Sequence, residues 1–186
     1  MSTDLRETQI SSERIMDGSI LHVYRDQVRL PNGNPASREL IRHVGAVCVV
    51  PLTDDGKVIL EQQFRYPVDC TITEIPAGKL NDKSEDPLAA AKRELQEETG
   101  IVADRWYDLG LFYPAAAYSD ETIHMYLATG LHQGTQNLDA DEFLDLKAVE
   151  LETMVAEILA GKIPDLKTQA AILRAYLMRQ RQMLTP

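Results

Sequence analysis

The feature that most constrains this chain is a helix whose two ends are marked in the sequence between residues 86 and 100. Asp86 is a good N-cap, because its carboxylate can accept hydrogen bonds from the first-turn N–H groups. Pro87 suits the first helical position, where no N–H is needed. Gly100 suits the left-handed residue that ends many helices. We therefore predict a helix that runs to about Thr99.

Three glutamates share one face of this predicted helix. Glu94, Glu97 and Glu98 are separated by three and four residues, so they lie side by side and repel one another. Arg93, four residues before Glu97, neutralises only part of this repulsion. One interpretation is a solvated acidic face. The other is a site for a hard divalent cation, because Mg²⁺ takes oxygen ligands and joins carboxylates to substrate phosphates.

The segment before the helix favours the metal site. Residues 75–78 read Ile-Pro-Ala-Gly and form a predicted strand-to-helix loop. Gly78 permits tight backbone geometry there. A carbonyl oxygen of this loop could then join the carboxylates around a cation.

The overall charge narrows the range of partners. Acidic side chains outnumber basic ones by 29 to 19, which gives a formal net charge of −10. This charge repels nucleic acid and anionic membrane surfaces, so we expect neither as a partner. A phosphate-bearing small molecule stays compatible if cations or local arginines mediate its binding.

The cysteines and the hydropathy pattern indicate a cytoplasmic protein. Cys48 and Cys70 lie in apolar, strand-like segments, and we interpret both as core thiols in a reducing compartment. The polar N-terminus has no apolar signal region, and no segment approaches the roughly 20 apolar residues of a membrane span.

The chain divides into an N-terminal sheet region, residues 1–44, and a main domain, residues 45–186. The first region is a predicted antiparallel meander without a covering helix, so we expect it to pack on the main domain or to pair with a second copy. Its predicted strands are 20–24, 26–30 and 38–44, with a turn at 31–34.

The main domain shows the pattern of a layered α/β fold. Residues 46–52 are a continuous apolar run, typical of a strand buried on both faces. The other predicted strands are 57–65, 70–75, 106–113, 121–128 and 143–149, and the later helices are 151–160 and 166–183. Mixed strands with helices on either side indicate an α/β sandwich.

The acidic helix resembles the signature of the Nudix hydrolase family: glycine, five residues, glutamate, seven residues, then Arg-Glu-apolar-any-Glu-Glu-any-Gly-apolar. The chain matches it in full from Glu85 to Ile101, but six residues separate Gly78 from Glu85. The extra residue falls in the loop before the N-cap and leaves the register of the glutamates unchanged. The resemblance implies an α/β/α sandwich with a mixed sheet, a small N-terminal antiparallel sheet and metal-dependent hydrolysis.

The resemblance covers nearly the whole chain and is greatest to the ADP-ribose pyrophosphatase branch, whose N-terminal sheet helps to build a homodimer. The matching segments are residues 28–33, 45–47, 61–67 and 74–78. The implied reaction is hydrolysis of ADP-ribose to AMP and ribose 5-phosphate. The implied cofactor is Mg²⁺, with Mn²⁺ as an alternative.

The resemblance also implies roles for the helix residues. Glu94, Glu98 and the carbonyl of Ala77 would be metal ligands. Glu97 would complete the cluster or order a metal-bound water, and Arg93 would orient it.

Three residues outside the helix acquire substrate-binding roles from the same resemblance. Arg65 would contact the phosphates, where a guanidinium can bind two oxygens at once. Glu74 would help to bind the nucleotide end, and Arg38 would reach the site of a neighbouring subunit.

The acidic loop at residues 138–143 matches the place where this branch carries its catalytic glutamate. Glu142 is the general base that the resemblance implies, with Asp141 as the alternative. A solvent-facing acidic turn before a strand remains the other interpretation of this loop.

Residues 113–121 depart from the pattern of the branch, which often reads Tyr-Pro-Ser-Pro-Gly here. Ala116 stands in place of the second proline, often read as a mark of ADP-ribose specificity, and Ala117 in place of the glycine. This leaves open another nucleoside diphosphate sugar, or a dinucleotide such as FAD or NADH, as the substrate. A non-catalytic ADP-ribose sensor is a third possibility, but we would expect such a protein to have lost helix glutamates or to carry a DNA-binding domain.

Overall fold

The computed structural model of the protein describes residues 4–138, 140, 142–181 and 183. The N-terminal strands are β1 (Thr8–Asp17), β2 (His22–Arg29) and β3 (Pro35–Arg42). They are followed by β4 (Ala46–Pro51), β5 (Lys57–Arg65), β6 (Cys70–Glu74), β7 (Ala77–Lys79), α1 (Pro87–Thr99), β8 (Ile101–Phe112), β9 (Ile123–Gln133), β10 (Leu144–Glu150), α2 (Leu151–Leu159) and α3 (Leu166–Gln180).

The chain forms two compact units. The first comprises residues through Val44 together with Tyr113–Thr122, and the second comprises Gly45–Phe112 and the residues from Ile123 onward. In the first unit, β1, β2 and β3 form an antiparallel sheet in that order. The segment 113–122 joins β3 through its backbone, because the Ile41 N–H donates to the Tyr118 carbonyl at 2.8 Å.

The N-terminal sheet confirms the antiparallel arrangement but corrects its strands. β1 was missing from the sequence prediction: its side chains are exposed throughout, so it shows little of the half-buried pattern that reveals a strand. The predicted break near Arg25 is also wrong. β2 pairs continuously with β3 from His22 to Arg29, and Asp26 lies buried in the middle of it.

Two sheets, one antiparallel and one mixed, form the second unit together with its helices, which confirms the predicted fold class. One sheet has the order β10-β5-β6 and the other β7-β4-β9-β8. β4 is parallel to β9, whereas the other pairings are antiparallel.

Strand β4 lies at the centre of the sandwich, and every one of its residues is buried, as predicted. Cys48 and Val50 belong to the apolar core that also contains Ile172 of α3. Since neighbouring side chains of a strand point to opposite faces, Val47 and Val49 lie on the other face. Helix α1 contacts β4 and buries Leu95, so both faces of this strand are covered.

Helix α1 begins and ends where the sequence predicts. The Asp86 carboxylate accepts a hydrogen bond from the Ala89 N–H at 3.0 Å. Gly100 ends the helix in the left-handed conformation, with φ of 68°. The predicted loop before the helix is wrong in one respect, because Ala77–Lys79 forms a short strand that pairs with β4.

Two further predictions can be compared with the structure. Cys48 is buried as expected, but Cys70 is exposed because it begins the edge strand β6. None of the helices in the described part of the chain is long and apolar enough to cross a membrane.

Candidate active site

The Glu94 carboxylate packs directly against the backbone of β7. A Cβ added at Gly78 would lie 2.0 Å from Cδ of Glu94, a distance at which atoms overlap. Any larger side chain here would displace the Glu94 carboxylate, so the signature glycine is explained by the close approach of a helix carboxylate to the strand backbone.

Glu98 is tied to the same short strand. Its Oε2 accepts a hydrogen bond from the Ala77 N–H at 2.9 Å, and the side chain is buried. Residues 94 and 98 thus converge on β7 from one face of α1, as their spacing predicted.

Arg93 and Glu97 lie at the more exposed edge of this cluster. Arg93 Nη1 donates to Glu94 at 2.7 Å and to Glu97 at 3.1 Å, and Nη2 donates to the Lys79 carbonyl at 3.2 Å. Arg93 therefore positions two of the helix carboxylates. The Glu97 side chain is 39% exposed, whereas those of Glu94 and Glu98 are largely buried.

Sequence reasoning missed a fourth carboxylate in the cluster. Glu61, in the middle of β5, is 3% exposed, and its Oε1 has no hydrogen-bond partner. The carboxyls of Glu61 and Glu98 are close enough to share a hydrogen bond when either carries a proton. The signal available in the sequence was an acidic residue directly after the apolar run Val58-Ile59-Leu60.

Of the three buried carboxylates, Glu94 pairs with Arg93, whereas no described basic side chain forms an ion pair with Glu61 or Glu98. Burial, followed by repulsion from Glu61 and Glu94, raises the pKa of Glu98 to about 10. Burial is also the main cause that raises the pKa of Glu61, to about 7, and it raises the pKa of Glu94 despite the nearby Arg93. Crowded carboxylates of this kind disfavour their charged forms unless a cation is added.

The donor chemistry of this cluster fits a hard divalent cation. Several carboxylate oxygens converge there, and one buried oxygen has no partner. Among the residues that the structure describes, no three His, Cys, Asp or Glu side chains already stand in a metal-holding arrangement. The reason is visible in the contacts, since Glu94 turns to Arg93 and Glu98 turns to the Ala77 N–H.

A second acidic group, beside the first, is fully compensated. Glu74 is buried and accepts hydrogen bonds from Arg65, from Nε at 2.7 Å and from Nη2 at 3.0 Å. Lys167 Nζ also binds Glu74 and lies 3.1 Å from Asp165. Burial raises the pKa of Glu74, but Arg65 and Lys167 outweigh that effect and lower it overall. Lys167, at the start of α3, was also missed by sequence reasoning.

The two predicted substrate arginines lie in different units. Arg65, at the end of β5, is 41% exposed beyond its bonds to Glu74. Arg38 lies in the N-terminal unit, where it is 45% exposed and forms a two-point ion pair with Glu7 at 2.6 and 3.0 Å.

The predicted general base lines a cavity. Glu142 borders a space of about 440 Å³ together with Phe64, Phe143 and neighbouring residues of β5, β6 and β10. Its charge contributes to the raised pKa values of Glu94 and Glu98, which indicates that it belongs to the electrostatic surroundings of the cluster. Asp141, the alternative base, lies outside the described residues.

The altered loop forms a turn held by its own backbone. The Ala115 carbonyl accepts hydrogen bonds from the N–H groups of Tyr118 and Ser119, at 3.0 and 2.9 Å. Ala116 and Ala117 lie inside this turn, so the turn closes without the proline or the glycine of the branch pattern.

The arrangement of a glycine strand, a glutamate helix and a buried acidic cluster agrees with comparison to known families. The NUDIX domain family matches residues 42–170. The chain belongs to the Nudix family. Residues 7–41 of this Nudix protein match a second family, the nucleoside diphosphate sugar hydrolase N-terminal domain.

Similar proteins cover almost the whole length of the chain. An ADP-ribose pyrophosphatase of Bacillus subtilis (strain 168) is 41% identical over 170 residues, which are 90% of this chain and 91% of the relative. A methanol dehydrogenase activator of Bacillus methanolicus is 40% identical over 176 residues, 94% of each chain. The crystal structure of an ADP compounds hydrolase shares the fold, with a TM-score of 0.86 at 22% identity over 97% of this chain and 98% of that one.

Proposed function

We propose that this Nudix protein hydrolyses the pyrophosphate bond of ADP-ribose to AMP and ribose 5-phosphate, with Mg²⁺ as the cofactor and Mn²⁺ as a substitute. The observation that carries the proposal is the buried cluster of Glu61, Glu94 and Glu98 beside β7, in which no described basic side chain pairs with Glu61 or Glu98. The B. subtilis pyrophosphatase, similar over nine-tenths of both chains, supports the choice of substrate.

Glu94, Glu98 and the carbonyl of Ala77 would hold the metal, with Glu97 completing the cluster. A divalent cation held there would neutralise phosphate charge and lower the pKa of a coordinated water. Arg93 keeps Glu94 and Glu97 oriented, as its hydrogen bonds to both indicate. The anionic substrate and the acidic cluster thereby become compatible.

The protein side chains supply the remaining chemistry. Arg65, held by Glu74 and still 41% exposed, would present its guanidinium to the diphosphate. Glu74 would help to bind the nucleotide end, and it also holds Arg65 in place. Glu142 would accept the proton of the water that attacks phosphorus, because its carboxylate lines the cavity and its charge acts on Glu98 of the cluster.

Another nucleoside diphosphate sugar, or a dinucleotide such as FAD or NADH, is the second candidate substrate. The alanines at 116 and 117 favour it, and so does the family match of residues 7–41. The variant Ala116→Pro restores the residue of the branch pattern. If this loop sets specificity, the variant should shift the ratio of kcat/KM values toward ADP-ribose. A non-catalytic sensor is disfavoured, because every signature carboxylate is present.

A substrate panel tests the proposed activity. Purified protein is assayed with Mg²⁺ or Mn²⁺ against ADP-ribose, ADP-glucose, GDP-mannose, FAD and NADH, and AMP is measured by chromatography. We expect ADP-ribose to have a kcat/KM about tenfold or more above the others, the size of a single pocket contact. A higher value for another compound would reassign the substrate. Equal rates with EDTA and with Mg²⁺ would overturn metal dependence.

We also propose that the protein is cytoplasmic and that its N-terminal region, residues 1–44, builds a homodimer, with Arg38 reaching the partner's site. Strand β1 is exposed along its whole length, and its apolar side chains Ile10 and Ile15 are 51% and 45% exposed. Light scattering should report about twice the chain mass of 20.9 kDa. Ile15→Glu should yield monomers, whereas Leu159→Glu, an exposed leucine of α2, should not. A fully active monomer at micromolar concentration would contradict this proposal.

A further inference from the structure

We propose that Glu61 is an additional ligand of the divalent cation, facing Glu98 from strand β5. The inference rests on the proposed metal-dependent function and adds a residue that lies outside the signature helix. Its starting point is a carboxylate buried in the protein without a compensating partner.

Glu61 has no means of reaching solvent. It lies in β5, the central strand of its sheet, where it pairs with Glu74 of β6 on one side and with Leu146 of β10 on the other. The side chain is 3% exposed. A carboxylate in such a place is costly unless it is paired or bound to a metal.

Glu61 has no basic side chain of its own among the residues that the structure describes. Among the described residues, no ion pair joins it to a basic side chain: nearby Lys167 is bound to Glu74 and Asp165, and Arg65 is bound to Glu74. Oε1 of Glu61 has no hydrogen-bond partner. This contrasts with neighbouring Glu74, which has two cationic partners.

The surroundings of Glu61 identify the missing partner as a cation. Its carboxyl faces that of Glu98, which is fixed by the Ala77 N–H. Glu94 is packed on Gly78, the next residue of the same strand. Three carboxylates supplied by β5 and α1 thus surround the backbone of β7. A divalent cation that binds Glu98 would satisfy the unpartnered Glu61 oxygen as well, and its carboxylate ligands would come from two elements rather than one.

Binding of Mn²⁺ to the substrate-free protein tests this role independently of catalysis. Isothermal titration calorimetry on the full chain should show that Glu61→Gln weakens Mn²⁺ binding about tenfold or more, the usual cost of losing a group that supports a metal site. Glu152→Gln makes the same chemical change at a side chain that is 57% exposed, and it should leave the dissociation constant unchanged.

Thermal unfolding separates a ligand from a structural residue. Added Mn²⁺ stabilises the folded state according to its affinity, so the metal-induced rise in Tm should shrink in Glu61→Gln. Glu61→Leu fills the buried position with an apolar side chain and should fold without metal, yet it should show the same reduced rise. This second variant keeps the test valid if the glutamine variant does not fold.

Two results would separate failure of this inference from failure of the proposed function. If Glu61→Gln and Glu61→Leu bind Mn²⁺ like the parent while Glu98→Gln does not, Glu61 is not a ligand and the metal site stands. If Glu98→Gln also binds Mn²⁺ like the parent, the proposed metal site is wrong and the Glu61 inference falls with it.

Discussion

Two buried acidic groups lie side by side in the second unit, and they differ in their charged partners. Glu74 has two cationic partners, Arg65 and Lys167, and its pKa is lowered. Glu61 and Glu98 face each other, neither forms an ion pair with a described basic side chain, and burial raises their pKa values. The first group is thus neutralised by side chains of the protein itself, whereas the second is a set of like charges of the kind that a bound cation would stabilise.

This contrast separates structural from catalytic electrostatics. A buried ion pair holds strands and helices in place, and the Glu74 group connects β5, β6 and α3 in this way. A buried cluster of like charges destabilises the metal-free fold, and such strain is typical of functional sites. The following predictions test whether the two groups are as different in behaviour as in their contacts.

The largest expected effect concerns Glu142, whose charge acts on the uncompensated cluster. We expect Glu142→Gln to lower turnover about 100- to 10,000-fold with little change in substrate or metal affinity, because a general base acts in the transition state. Steady-state kinetics with ADP-ribose, together with Mn²⁺ titration, provide the measurement.

Asp141→Asn is the matched control for this prediction, since it alters the neighbouring acid of the same loop. It should retain most of the activity. An inactive Asp141→Asn enzyme beside an unaffected Glu142→Gln enzyme would move the base by one residue. Full activity in both would direct the search to Glu97 of the helix.

A somewhat smaller loss is expected when the uncompensated cluster itself is changed. Glu98→Gln removes a ligand charge while keeping the shape of the side chain, and it should lower turnover about 100-fold or more. The metal-free variant should be at least as stable as the parent, because the change removes one of the mutually repelling carboxylates. Turnover with Mg²⁺ and urea unfolding in EDTA measure the two effects.

A loss of turnover without a loss of stability distinguishes a metal ligand from a structural residue. A residue that merely supports the fold would lose stability and activity together. Near-normal turnover of Glu98→Gln with Mg²⁺ would refute the metal site, and a clear loss of stability in EDTA would refute the repulsion argument.

Changes to the Glu74 group should lower stability, whereas changes to the Glu98 cluster should not. Lys167→Met leaves Glu74 with Arg65 alone, and we expect a loss of about 2 kcal/mol in the free energy of unfolding at neutral pH, the usual value of a hydrogen bond to a charged group. Urea unfolding measures this loss. Glu152→Gln, which alters an exposed ion pair with Arg179, should cost little.

The stability difference between the parent and Lys167→Met should depend on pH. Because the pKa of Glu74 is lowered on folding, its charge stabilises the protein above the unfolded value near 4.5 and ceases to do so as the pH falls through the lower folded value. The difference between parent and Lys167→Met should therefore be largest near neutral pH and shrink in acid. A difference that stays constant down to acidic pH would contradict an ion pair with Glu74.

The contrast also shows which site residues could be predicted from the sequence and which could not. The glutamates of α1 and the ends of that helix were predictable, because they depend on contacts within a few residues of the chain. Glu61 and Lys167 were not, because each acquires its meaning from a distant residue. Lys167 meets Glu74 across 93 positions, and Glu61 meets Glu98 only after β5 and α1 have packed.

The fold was predictable to a similar degree and for the same reason. The fully buried strand β4 and the capped helix carry strong local patterns. Strand β1 does not, since all of its side chains are exposed, and the short strand β7 is defined by its pairing with β4 rather than by its own residues. Cys70 was misassigned because strand propensity does not distinguish an edge strand from a central one.

The smallest expected effect concerns Cys48, a buried thiol that remains neutral. Burial raises the pKa of the Cys48 thiol to about 12, although nearby Lys167 acts in the opposite direction, whereas Cys70 is exposed. Since the thiolate is the reactive form, a disulfide reagent should label one thiol per native chain, and Cys70→Ser should abolish that labelling. Unfolding in guanidinium chloride should release the second thiol. Cys48 differs from Glu61 and Glu98 in that a neutral thiol is stable in an apolar core, so no cation is needed there. Rapid labelling of both thiols in the native protein would show that the core around β4 opens readily, and the burial from which the carboxylate argument starts would then be in question.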